Sequence, residues 1–220
     1  MRKWIAPIIV VASILITAIV YPRLPTTIPT HWNLAGQVDG YSGRPWGAWF
    51  MPALLILFWA MLRWLPSIDP RGANYARFSG AFEAIIIMIM LFGFAVQMVI
   101  LAAALGQPVE MERLAPAGMG LLLLGVGNLL PRAKPNWFVG IRTPWTLSND
   151  RVWERTHRVG GHFIVAGGAL TVLTAIIAPH WAFRVMIAAC ASAAVFLLVY
   201  SYVAWRQETS ATTGATDGST

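Results

Sequence analysis

"FEAIIIMIMLFGFAVQMVILAAAL", residues 82–105, decides the fold. Across 24 consecutive residues the one ionisable side chain is Glu83, at the very start. A bilayer's hydrocarbon core is about 30 Å thick and takes about 20 apolar residues in a helix to cross. In lipid every backbone N–H and C=O must be satisfied within the segment, so a run of this kind crosses as an α-helix. The rest of the chain repeats the pattern. Six segments reach or approach the spanning length: Trp4–Tyr21, Trp46–Leu65, Phe82–Leu105, Ala115–Leu130, Phe163–Ala178 and Trp181–Trp205. The expected fold is an all-α integral membrane protein of six transmembrane helices.

Composition agrees. Of 220 residues 57% are hydrophobic and 11% charged, with a mean hydropathy of +0.63. A soluble domain is typically about 25% charged. The net charge of +7 is therefore read as topology information and not as a nucleic-acid footprint, and no direct nucleic-acid binding is expected. The single cysteine, Cys190, permits no internal disulfide. The start "MRKWIAPIIVVASILITAIVYP" has a basic n-region but no small-x-small cleavage site after its apolar run, so it reads as an uncleaved first span. The tail "QETSATTGATDGST", residues 207–220, is polar, low in complexity and expected to be disordered.

Lysine and arginine orient the bundle. With the N-terminus inside, Arg2, Lys3, Arg63, Arg71, Arg77, Arg132, Lys134, Arg142, Arg151, Arg155, Arg158 and Arg206 are cytoplasmic; Arg23, Arg44, Arg113 and Arg184 are outside. Twelve against four gives an N-in, C-in topology in a bacterial inner membrane. The organisation expected is a two-helix region (1–65) with an outer loop motif (22–45), a third span with its flanks (66–114), and a region 115–206 carrying a cytoplasmic signature (131–161). Gly118, Gly120, Gly125 and Gly127 loosen the fourth span, but the first span has no counterpart, which argues against an inverted repeat.

The outer loop, "PRLPTTIPTHWNLAGQVDGYSGRP", carries Pro22, Pro25, Pro29 and Pro45, with a turn signal at Asp39-Gly40. So many prolines imply a shaped cap presenting His31, Trp32, Asn33, Asp39 and Tyr41, either as a ligand-contact surface or as a rigid lid. His31 and Asp39 alone are too few to close a metal site. No metal or cofactor is expected.

The inner loop, "NWFVGIRTPWTLSNDRVWERTHRVGG", residues 136–161, is the densest block of charge and aromatics in the chain. Pro144 forces Thr143 out of the helical region. Ser148 reads as an N-cap, Asp150 sits in the first turn, and Leu147 with Val152 has the spacing of a hydrophobic staple. The expected product is a short amphipathic helix from Asn149 to Val159, stopped by Gly160-Gly161. Arg151, Arg155 and Arg158 form one basic stripe on it, with Glu154 able to pair with Arg158. Trp153 and His157 would then face the membrane, and the arginines anionic headgroups.

Catalysis has no legible constellation. His157 and His162 are five apart, not the i, i+4 pair of a helical zinc protease, and no nucleophile has a base and orienting acid close in sequence. The expectation is a non-enzyme. Glu83, at the inner end of the third span, is either a functional intramembrane carboxylate or an interface partner of an arginine such as Arg77.

The two loops together resemble known sequences. "LPTTIPTHWNLAGQVDGY" is similar to a short N-terminal domain of unknown function found in many bacterial membrane proteins. "PNWFVGIRTPWTLSNDRVWERTHRVGG" resembles the signature of the SdpI family, named for an immunity protein against a secreted toxic peptide. The matching positions are Asn136, Gly140, Arg142, Thr143, Pro144, Trp145, Ser148, Trp153, Thr156, His157, Gly160 and Gly161. The resemblance implies a multi-pass plasma-membrane protein that protects its cell from a membrane-active peptide. It also implies signalling, by holding a repressor at the membrane. The expected partners are therefore anionic lipid, a toxic peptide outside and a repressor inside. A small-solute or peptide transporter is the alternative, with Glu83, Gln97, Asn128 and His162 as the polar groups available; a membrane-embedded enzyme is a further one.

Overall fold

The computed structural model describes residues 2–217, with the side chains of residues 3–210. Its helices are α1 (Ile5–Val20), α2 (Arg44–Ile68), α3 (Ser79–Ala104), α4 (Met111–Leu129), α5 (Pro144–Ser148), α6 (Asp150–Ile177) and α7 (Pro179–Asp217). Six of them, all but α5, are long and apolar enough to cross a membrane. Between α1 and α2 lies an antiparallel hairpin of β1 (Thr27–Trp32) and β2 (Val38–Gly43). The bundle thus has a hairpin end and an opposite, signature end. α1 starts and α7 finishes at the signature end, as an even number of crossings requires.

The hairpin explains the prolines of the first loop. Its turn is not at Asp39-Gly40, which lies within β2, but at residues 33–37. There the Asn33 Oδ1 accepts the amides of Ala35 (2.9 Å) and Gln37 (3.1 Å), and Gly36 supplies φ +73°. An asparagine closing its own turn outcompetes the Asp-Gly signal. Gly40 is instead the close-approach residue opposite His31, in the irregular part of the ladder. Ile28, fully buried, anchors the hairpin against Gly47 at the start of α2, together with Leu24, Ala48, Met51, Ile100 and Leu101.

The first three spans close around Ile9, Leu55, Leu62, Phe82, Ile86 and Met90. They are also joined by polar contacts: Ser13 donates to the Gln97 Oε1, and the Gln97 Nε2 donates to the Ser13 carbonyl and the Thr17 hydroxyl. Every polar atom of the buried amide is satisfied, as hydrocarbon depth demands.

The last three spans pack by backbone approach. A Cβ on Gly120 would lie 2.9 Å from the Gly168 carbonyl oxygen, and one on Gly161 2.8 Å from that of Gly127. Apolar side chains gain little by leaving lipid, so close packing of small residues drives helix association here. This overturns the expected helix stop. Gly160 and Gly161 lie inside a continuous α6, and no short surface helix ends there. Neither adopts the positive φ of a C-terminal glycine; among the described residues Gly36, Gly106 and Gly140 do. At the other end, α7 runs on to Asp217, into the stretch read as disordered, while residues 218–220 lie outside the described residues.

Candidate functional site

At the signature end, residues 133–149 are built around one buried asparagine. The Asn136 Oδ1 accepts the amides of Phe138 (2.9 Å) and Val139 (2.6 Å) and the Tyr75 hydroxyl (3.2 Å). Its Nδ2 donates to the carbonyls of Lys134 and Val139, both at 2.9 Å. Asp69, also buried, accepts from the Trp137 amide (2.9 Å) and shares the single Tyr75 hydroxyl proton (3.0 Å) with Asn136. Asn74 donates to the Pro135 carbonyl at 2.7 Å. The turn after α2 therefore holds the signature loop in place.

The loop then enters α5 through a capping box. The Thr143 hydroxyl accepts the Thr146 amide, and the Thr146 hydroxyl accepts the Thr143 amide. Ser148 is not a cap: its exposed hydroxyl donates to the Trp145 carbonyl. Asn149 caps α6 one residue later, accepting the amides of Arg151 (2.9 Å) and Val152 (3.1 Å). The shift of the cap by one also dissolves the Leu147–Val152 staple. Pro144 explains the sequence's error, since it starts a helical turn early and makes Ser148 the end of one element instead of the start of the next.

Trp153 and His157 do not face lipid or solvent. Both are fully buried in the protein, stacked with ring centroids 4.0 Å apart. The Trp153 indole donates to the Ala133 carbonyl at 2.9 Å. The His157 Nε2 accepts the Ile141 amide (2.9 Å), so Nδ1 carries the proton and donates to the Trp153 carbonyl (2.8 Å). Both ring nitrogens are thereby engaged, and the histidine is a structural pin. Gly140, at φ +123°, is the residue the ring leaves room for; any Cβ there would overlap the imidazole. Thr143 meets Ser201, and Trp145 meets Tyr202, which ties the loop to α7. Thr156 is buried and its hydroxyl has no partner among the described residues.

The basic stripe is partly neutralised. Arg155 and Arg151 pair with Glu208 at 2.9 and 3.5 Å, and Arg71 pairs with Asp150 at 2.8 Å. Glu154 pairs with Lys134 (3.1 Å) and not with Arg158. Arg158 stays exposed, as does Arg142, which donates to the Trp137 carbonyl. Glu83 meets Arg63 of α2; Arg77, the partner considered from sequence, turns to Asn74 instead.

At the hairpin end a cavity of about 530 Å³ opens between α3, α4 and the hairpin, with Phe183 of α7 at its side. Thr30, His31 and Trp32 form its roof, Phe92, Val96 and Ile100 one wall, and Met111, Gly118 and Leu121 the other. Trp32 also borders a second hollow of about 360 Å³, whose walls include Pro25, Pro29, Tyr41 and Gln107. The five outer-loop candidates thus separate. His31 and Trp32 face the main cavity, Tyr41 the second, Asn33 is engaged in the turn, and Asp39 binds the His31 ring. Among the described residues no cluster of three or more metal-ligating side chains occurs.

Two known families match parts of the chain. The SdpI/YfhL protein family matches residues 132–201, and a domain of unknown function, DUF1648, matches residues 8–56. The chain thus carries an SdpI/YfhL-type region preceded by a DUF1648-type region. Within that framework, the SdpI-matching region covers the Asn136 loop, its capping box and the Trp153–His157 pin, while the DUF1648 region covers the hairpin. The chain is also 26% identical over 203 residues, 92% of its length and 95% of the relative's, to a protein described as immunity protein SdpI of Bacillus subtilis (strain 168). No solved structure matches the chain.

Sequence reasoning missed Asp69, Asn74 and Tyr75, the residues that hold the SdpI signature from the α2–α3 turn. They stand more than 60 positions from their partners, and no local pattern marks them.

Proposed function

We propose that this chain, with its SdpI-type region, is a multi-pass immunity protein of the bacterial inner membrane, with its hairpin end outside, that protects the cell from a membrane-active peptide. The observation that carries the reading is the apolar cavity roofed by His31 and Trp32. It offers an amphipathic segment a wall of apolar side chains below and polar groups above, the environment such a segment meets at a membrane surface. The likeness to an immunity protein over nearly the whole chain points the same way. The Asn136 loop is the scaffold that keeps the far ends of α3, α4 and α6 together while the hairpin end takes the ligand.

A second role, display of a docking face for a repressor inside the cell, draws support from the exposed Arg142 and Arg158 and the half-exposed Trp137 (48%) at the signature end. A transport role is less well supported, because Gln97 is engaged by Ser13 and Thr17, and Glu83 by Arg63. The test is growth under challenge with a panel of membrane-active peptides, in cells with and without the gene. Membrane levels are matched by immunoblot. Protection by the wild type that is lost in a His31→Ala, Trp32→Ala double variant supports the reading. Equal survival of cells with and without the gene across the panel overturns it.

A further inference from the structure

We infer that the cavity beneath the hairpin is a binding site for one acyl chain of a membrane phospholipid from the leaflet at the hairpin end. This goes beyond the immunity reading and does not rest on it: the acyl chain is the occupant of the cavity when no toxic peptide is present. Three observations carry it. First, the walls are apolar: below Thr30 and His31 the cavity is bounded by Phe92, Val96, Ile100, Met111, Leu114 and Leu121. Water placed there would find no hydrogen-bond partners, and a void would forfeit the dispersion contacts of its lining.

Second, the cavity has the depth of one leaflet. From Met111 to Leu121 helix α4 rises about 15 Å at about 1.5 Å per residue, half of a hydrocarbon core about 30 Å thick. The roof lies where headgroups lie, and the floor lies near the midplane. Third, the opening is sideways. Ile100 and Met111 are buried, whereas Leu114 and Leu121 of the α4 wall are 46% and 60% exposed. In a six-span protein that flank faces lipid, so a chain can enter without passing the hairpin. The headgroup then stays level with Thr30 and His31, and the chain lies along Phe92 and Gly118.

Gly118 offers a test. A Cβ there would meet the Phe92 ring at 3.4 Å, an ordinary contact, so a larger side chain fills the cavity without disturbing the helix backbone. The full chain is reconstituted in vesicles of phosphatidylethanolamine and phosphatidylglycerol containing a phospholipid with a diazirine at its chain end. Labelled residues are mapped by mass spectrometry. In the wild type, labelling at Phe92, Val96 and Gly118 should exceed several-fold that at the half-exposed Ile187 of α7, which lies at matching depth, about 12 Å along its helix. Gly118→Trp should abolish this excess and leave the α7 labelling unchanged. Ala95→Phe, at a lining position on α3, should do the same and stands in if Gly118→Trp does not fold by circular dichroism.

Labelling along the cavity no stronger than on α7, or unchanged in both variants, overturns the inference. So does a peptide co-purified from unchallenged cells and occupying the cavity in place of lipid. The immunity reading is scored separately, by survival. A variant that loses the lipid but still protects its cell refutes the cavity as the peptide site and leaves the acyl-chain site standing. One that loses protection while labelling persists does the reverse.

Discussion

Replacing Asn136 with Ala should collapse the signature end. The side chain makes five hydrogen bonds: three accepted by Oδ1, from Phe138, Val139 and Tyr75, and two donated by Nδ2 to Lys134 and Val139. At a net 0.5–1.5 kcal/mol each, simple addition gives about 2.5–7.5 kcal/mol. These groups share one residue and are not additive, so the lower half of that range, about 3–4 kcal/mol, is the expected effect. Against a typical total stability of about 5–15 kcal/mol, that is a large fraction. Asn136→Asp should be no milder, since it sets a carboxylate oxygen against the carbonyls of Lys134 and Val139. The loop carries its own reporters, because Arg132 and Arg142 are trypsin sites flanking the asparagine, whereas the Lys134–Pro135 bond resists the protease. Limited trypsinolysis of the detergent-purified protein should cut the variant within this loop at least tenfold faster than the wild type, with a lowered thermal midpoint. Wild-type protection of the loop together with an unchanged midpoint would refute the argument that Asn136 organises it.

Asn149→Ala should destabilise the start of α6 by about 1 kcal/mol, whereas Ser148→Ala should change almost nothing, read as faster hydrogen exchange at the Arg151 and Val152 amides in the first variant alone. Gly140→Ala should be worse than either, because it combines a left-handed φ with overlap on the His157 ring; loss of protein from the membrane is the readout. In a variant with Cys190 replaced by Ala, single cysteines at the exposed Ala35 and Ser148 should label from opposite sides of the membrane, the first from outside. Labelling from one side would overturn the six-span topology. Changing Arg151, Arg155 and Arg158 together to Gln should weaken partitioning of the protein's signature end onto anionic lipid. At about 1 kcal/mol per exposed basic residue the ceiling is about a hundredfold. Glu208 already neutralises part of that charge, so a smaller change is expected, measured by flotation with phosphatidylglycerol vesicles.

The sequence by itself determined the membrane class, the six spans and the two loops that carry information. The physical reason is that the bilayer imposes its thickness on the chain, and long apolar runs such as residues 82–105 are local features needing no partner to be recognised. It also marked Asn136, Gly140, Trp153 and His157 as belonging together. What they do was decided only by tertiary structure. Gly160-Gly161 has the local form of a helix stop, yet inside the bundle it is where α6 meets the Gly127 backbone, Ile141 and Leu197. Trp153 and His157 have the spacing of a membrane-facing stripe, yet the returning loop covers them, and burial turns an apparent surface into a hydrogen-bonded core. Glu83 and Glu154 chose partners on neighbouring elements, Arg63 and Lys134, over those close in sequence. Asp69 and Tyr75 carried no local signal because their role exists only once the α2–α3 turn lies beside residue 136. The cavity is likewise a property of the assembled helices: α3 and α4 are unremarkable apolar runs until the hairpin bridges their ends and leaves space between them.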